Sequence, residues 1–246
     1  MRDLVEGGKR VGSRPHDVEC GETGAALHTI RYGCMPDGDP RQLCAGLAGD
    51  ALGLLGQRPD LKVALLCDGA PEMWNLLDEH FNEATLSVTV HRLVDLWHLL
   101  EKLGKAAVVI NGSTEATAVM RRWRLRLLNA SGAAAEILDE VKLSGREHVH
   151  VGTEQPVHDA ITYLINHEGM FNYASARRRG LPIGSGNVEA TVKSLFECRM
   201  KRAGSGWKPL TGEHIVHLRA LALSDRWAQA MHLTLRPLAK AVRPAA

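Results

Sequence analysis

Val63-Ala64-Leu65-Leu66-Cys67-Asp68-Gly69-Ala70-Pro71 is the stretch on which the fold turns. Five apolar residues closed by an Asp-Gly turn signal are too few for a helix. They suit a strand buried on both faces, its carboxyl end opening into a loop. Downstream, Trp74, Leu77 and Phe81 recur at helical spacing over Met73–Phe81, Ser87–Val90 is β-branched and reads as the next strand, and Leu93–Leu103 is helical again. Strand, helix, strand, helix in that order implies an α/β core with at least one parallel pair.

Upstream, Val18–Cys20 and Ala26–Tyr32 flank Glu22-Thr23-Gly24 and read as a hairpin. A loop rich in Pro and Gly follows at Pro36–Pro40, then a helix carrying Leu43, Leu47, Leu54 and Leu55 that stops between Gly56 and Pro59. Downstream, Thr114–Glu140 is wholly helical by composition and Asp159–Asn166 adds a further helix. A helical block between two α/β pieces reads as an insertion. After the loop Arg179–Gly186, a basic helix is expected over Asn187–Arg202, and Thr211 and Ser224 suit the caps of two final helices, with Ile215, Leu218, Trp227 and Met231 facing inward.

Composition narrows the class. The 246 residues are 45% hydrophobic and 24% charged, as in a globular chain, and the proportions exclude a mainly disordered one. No apolar run approaches the roughly eighteen residues of a membrane span, and Met1–Gly12 has no hydrophobic leader segment. Five scattered cysteines without a C-x-x-C pair point to a reducing cytoplasm and away from disulfides or a zinc knuckle. The net charge of +2 conceals a division: residues 177–246 carry thirteen Lys or Arg against four acids, residues 1–176 seventeen against twenty-four. A basic tail on an acidic body suggests a polyanionic partner, although a solvated basic helix reads the same way.

Four constellations could carry chemistry. Asp68 stands at the carboxyl end of a strand, where α/β sheets place ligands, although Asp-Gly is also a turn dipeptide. Glu189 falls in the first turn of the basic helix, where the macrodipole favours acids in any case. Asp95 and His98 lie three apart, on one face of a helical turn, able to hydrogen-bond or share a metal. Lys193, Arg199, Lys201 and Arg202, with Arg177–Arg179 before the loop and Lys208 after it, suit phosphate contacts better than base readout. Trp207 could stack on a base or pack on its own domain, while His148, His150 and His158 lack fitting partners for a zinc site.

Gly180–Ala190, Lys201-Arg202-Ala203-Gly204 with Trp207, and Leu218-Arg219-Ala220-Leu221 resemble the C-terminal block of bacterial insertion-sequence transposases of the ISKra type. Ala26–Gly33 with Met35-Pro36, Asp68-Gly69-Ala70 and Asp95-Leu96-Trp97-His98 also look like that family, in the same order, so the resemblance runs from about Gly24 to Trp227. It implies an RNase H-like mixed sheet, residues 1–110 and 167–246 making the core and 111–166 a helical insertion, with helices at the C-terminus. It also implies DNA strand cleavage and transfer at transposon ends by an Asp-Asp-Glu triad with two Mg²⁺ or Mn²⁺ ions.

By that resemblance Asp68 is the second Asp and Glu189 the Glu, both metal ligands, with His98 in the signature between them and Lys193, Arg199, Lys201, Arg202 and Lys208 on the DNA. Two such ions can activate the attacking oxygen and stabilise the leaving one. The family's first Asp lies on an opening strand; Asp3, Asp37 and Asp39 have no such setting, and the expectation is a transposase truncated at its N-terminus. Met170-Phe171-Asn172 departs from the family's Arg-Met-Asp. The expected partner is double-stranded DNA, transposon end and target, with no membrane and with self-association left open. A DNA-binding remnant that occupies transposon ends without cutting is the second reading.

Overall fold

The computed structural model describes residues 29–148, 155–198, 200–201 and 206–241. They fall into two compact units interleaved along the chain, one holding residues 58–186 and the other residues 29–57 and 187–241 of those described. Helix dominates, and the β structure among the described residues is one parallel pair of strands, in keeping with an α/β class. No helix of the described residues is long and apolar enough to cross a membrane. Val18–Cys20, the first strand of the expected hairpin, lies outside the described residues; of the second, Thr29–Tyr32 is irregular and joins no sheet.

In the first unit, β1 (Val63–Cys67) is followed by α2 (Pro71–His80), α3 (Glu83–Leu86) and β2 (Val90–Val94), with α1 (Pro40–Gln57) belonging to the other unit. The strand expected at Ser87 starts three residues late. Asn82 caps α3 by accepting from Thr85 N at 2.8 Å, and Ser87 takes a left-handed turn (φ 55°), so the chain reaches an extended conformation only at Val90. β1 is half-buried, with Leu65 its one buried residue, and among the described residues it has one strand neighbour.

α4 (Leu96–Asn129) buries Leu96, Leu99, Leu100, Leu103, Ala106 and Ala107, the i, i+3, i+4 stripe of a helix packed on one side. Its outer half turns Trp123 and Leu127 toward α5 (Ala133–Ser144), which offers Ile137 and Val141. The block expected to be wholly helical breaks at Ala130–Gly132, and Gly112 inside α4 is also non-helical, at φ 75° and ψ 160°. α6 (Pro156–Asn166) lays Val157, Ala160 and Leu164 against α4 and α5, so the helices expected of an insertion lie within the first unit. Arg126 ties α4 to α5 through Glu136 (2.6 Å) and Glu140, while Trp123 Nε1 donates to Glu140 at 2.7 Å. α7 (Tyr173–Arg178) closes the unit with Tyr173, Ala174 and Ala176 buried.

The second unit joins α1 to α8 (Gly186–Val192), a π-helical turn over Lys193–Glu197, α9 (Pro209–Leu223) and α10 (Trp227–Ala241). The basic helix expected to run unbroken to residue 202 therefore changes hydrogen-bond register at Lys193, whose carbonyl accepts from Cys198 N at 3.0 Å. Arg219 of α9 supports that turn, donating to the carbonyls of Leu195 (3.1 Å) and Ser194. α9 buries Gly212, Val216 and Ala220 in place of the expected Ile215 and Leu218, and Leu218 is 42% exposed. Thr211 lies inside α9 and Lys208 is its N-cap, whereas Ser224 ends the helix and accepts from Arg31 N at 2.7 Å.

Asp50 of α1 anchors the segment at Tyr32. It pairs with both Arg226 guanidinium nitrogens at 2.5 and 2.7 Å and accepts from Tyr32 OH at 2.6 Å. The bond from Arg226, then that from Tyr32, holds the Asp50 carboxyl below its ordinary range against the opposing effect of burial. A carboxyl depressed by folding stabilises the native state above the ordinary carboxylate range, and that stability is lost as pH falls through the native value. Asp50→Asn is expected to lower stability by about 1–2 kcal/mol at neutral pH. Urea titrations of both proteins should then converge below the carboxylate range.

Candidate functional site at the carboxyl ends of the strands

The pair register runs from Val63 opposite Val90 to Cys67 opposite Val94, so Asp68 and Asp95 leave the sheet side by side. Asp95 N donates to Cys67 O at 2.8 Å and Leu96 N to Ile183 O at 3.0 Å, which stitches the loop of the Gly184-Ser185-Gly186 triplet to the start of α4.

Asp95 is 1% exposed, and its carboxylate is fully engaged. Oδ1 caps α4, accepting from Trp97 N at 2.6 Å and His98 N at 3.1 Å, while Oδ2 accepts from the backbone N–H of Ser185. Burial alone would raise its pKa; the bonds from Ser185, His98 and Trp97 outweigh it and hold the carboxyl below the ordinary range. His98 Nδ1 lies 3.4 Å from Oδ1, in ion-pair range but without hydrogen-bond alignment, and the imidazole is 41% exposed. The i, i+3 pair is thus present, with the acid serving as helix cap and loop anchor.

Asp68 is exposed. Its Oδ1 accepts from Ala70 N at 3.1 Å, and among the described residues no basic side chain forms an ion pair with it. The backbone beneath it is fixed from α6: Tyr163 OH donates to Asp68 O at 2.6 Å, and the His167 ring bridges the carbonyl oxygens of Gly69 and Tyr163, 2.8 Å from each. Burial pushes the Tyr163 phenol up, helped by the charge of Asp68, so it remains a donor at neutral pH. The Cys67 thiol is raised by burial to about 11, which keeps it protonated at neutral pH. Tyr173 OH donates to Val94 O at 3.0 Å from beneath the sheet.

No known protein family matches the chain, and neither a curated protein nor a solved structure does so.

The remaining expected residues belong to the second unit. Glu189 is exposed on α8, Lys193 is exposed at the first position of the π-helical turn, and Lys208 is exposed at the start of α9. Lys201 is exposed, 3.9 Å from Glu197. Arg199 and Arg202 lie outside the described residues. Trp207 takes the packed alternative, donating through Nε1 to Met200 O at 3.2 Å. Among the described residues no group of three or more His, Cys, Asp or Glu is placed to hold a metal ion. Asp68 and Glu189 are open carboxylates of the right chemistry, but the two-ion site implied by the resemblance needs more donors, and Asp95 is already committed to N–H groups.

Tyr163, His167 and Tyr173 were not singled out from the sequence. The spacing of Tyr163 and His167, i and i+4 on one helix, was the available signal, but nothing local tells which strand end they reach.

Proposed function

We propose that the chain acts on DNA as a transposase of the Asp-Asp-Glu type, built on an RNase H-like core, cleaving and transferring strands at insertion-sequence ends. The observation that carries the reading is the exposed carboxylate of Asp68 directly after a parallel strand, in no ion pair among the described residues, with its loop held by Tyr163 and His167. The order of motifs along the chain supports it. In this reading Asp68 and Glu189 are ligands for Mg²⁺ or Mn²⁺, and His98 belongs to the catalytic set. Lys193, Lys201 and Lys208, with Arg199 and Arg202, hold phosphates. Among the described residues, the donors fall short of a two-ion site.

One observation favours the second reading, a protein that occupies DNA ends without cutting them. The Asp95 carboxylate, adjacent to Asp68, has its oxygens spent on Trp97, His98 and Ser185.

One probe tests both readings. Insertion-end duplex is titrated with the full chain across a salt series, beside a nicking assay in Mg²⁺ or Mn²⁺. Binding should weaken steeply with salt, and the triple variant Lys193→Gln, Lys201→Gln, Lys208→Gln should flatten the log–log slope by close to three. Nicking that is lost in Asp68→Asn and Glu189→Gln, with binding intact, supports the transposase. Binding without nicking supports the non-cutting reading, and failure to bind at low salt removes both.

A further inference from the structure

At the amino ends of the same two strands, two cationic side chains gather around an imidazole. Lys62 immediately precedes β1, His91 is the second residue of β2, and Arg179 ends α7. Arg179 Nη1 lies 3.3 Å from Nε2 and 3.5 Å from Nδ1 of His91, a guanidinium set across the imidazole. Lys62 Nζ donates to the Arg179 carbonyl at 3.1 Å, which brings its charge to the same place.

Lys62 and Arg179 are exposed, and neither is in an ion pair with a described carboxylate. Glu83, at the start of α3, is the acid that acts on His91, and its Oε1 is engaged by Val90 N at 3.3 Å. Burial first, then the charges of Arg179 and Lys62, push the His91 pKa down. The carboxyl end of α7 favours cations nearby, but that explains one charge better than two. The run Arg177–Arg179 is divided in its duties: Arg177 donates to Leu128 O at 2.9 Å and pins α4, while Arg178, 3.5 Å from Ser131 Oγ, and Arg179 stay exposed.

Lys62 and Arg179, neither of them in an ion pair with a described carboxylate, repel one another, and an incoming polyanion relieves that cost. Exposed point charges of this kind contact phosphate oxygens and read no sequence. We propose that Lys62, His91 and Arg179 form a phosphate-binding patch that holds duplex DNA on the first unit, at the strand ends opposite Asp68. The proposal rests on the DNA reading above and adds a second, separate contact surface to it.

The test uses the full chain, a labelled 20-base-pair duplex and a salt titration. Lys62→Gln combined with Arg179→Gln should flatten the log–log slope by about two, with an unchanged circular dichroism spectrum. Wild-type binding combined with an unaltered slope in the folded double variant overturns the patch and leaves the DNA reading standing. If the wild type does not bind at low salt, both fall. Should the double variant unfold, the wild-type His91 imidazole resonances decide. Duplex should shift them and raise their titration midpoint, because phosphate favours the imidazolium, and resonances that stay in place overturn the proposal.

Discussion

Asp95→Ala should destabilise the first unit by roughly 3–5 kcal/mol. The side chain is nearly inaccessible and serves three backbone N–H groups, those of Trp97, His98 and Ser185. Removing it uncaps the first rod of α4 and strands all three donors in a site closed to water. Urea denaturation of wild type and variant measures the loss directly. A loss below about 1 kcal/mol would mean that water or a rearranged loop replaces the carboxylate. Acid should reproduce the effect. Because folding depresses this carboxyl, its stabilisation is complete above the ordinary carboxylate range and drains away as pH falls through the native value. Asp68→Ala is the natural contrast: exposed and bonded through its side chain to one N–H, it should change stability by about 0.5 kcal/mol or less.

Gly69→Ala should cost roughly 2–4 kcal/mol, for two reasons that add. At φ +95° the backbone adopts a conformation that side-chain-bearing residues rarely take. A Cβ built there would also lie 2.9 Å from His167 Nε2 and 3.0 Å from Tyr163 OH, the two groups that hold the loop under Asp68. Relieving the contact means giving up the bonds to the Gly69 and Asp68 carbonyls. Thermal unfolding gives the stability loss, and exchange of the Gly69 and Ala70 amides should accelerate with it. If the alanine variant matches wild type in both measurements, the clamp from α6 is not rigid. On the proposed function this substitution should also impair nicking more than binding, because it displaces Asp68 and leaves the basic side chains of the second unit alone.

The sequence made the strand at Val63–Cys67 and the helices around it legible, because continuous apolar runs and 3.6-residue spacing are local signals. It misplaced the second strand for an equally local reason. Ser87-Val88-Thr89 has β-branched character, yet the left-handed Ser87 and the Asn82 cap delay extension to Val90. The large residues Ile215 and Leu218 point to one face of α9, whereas the buried positions are Gly212, Val216 and Ala220, small enough for close approach; a Cβ at Gly212 would sit 2.9 Å from Met35 Cε. The π-helical turn at Lys193 could not be foreseen, since it is supported by Arg219, twenty-four residues from Leu195. At the candidate site, Asp68 and Asp95 were visible from their positions after the strands. Their different fates were not. The partner that occupies Asp95 is the Ser185 backbone, ninety residues away, and main-chain donors leave no compositional mark.

Gly112 gives the longest helix an unusual mechanical character. Its φ of 75° and ψ of 160° belong to glycine almost exclusively, and no atom outside its own stretch of helix backbone stands within 4 Å of where a Cβ would be. Steric crowding is therefore absent, and the requirement for glycine is purely torsional. The rod that leaves the sheet at Leu96 and the rod that carries Trp123 are joined at one articulation, and two dihedral angles set the bearing of everything beyond it. A bulkier residue at this joint would re-aim the arm against the fastenings that Arg126 makes to α5 and Arg177 makes from α7.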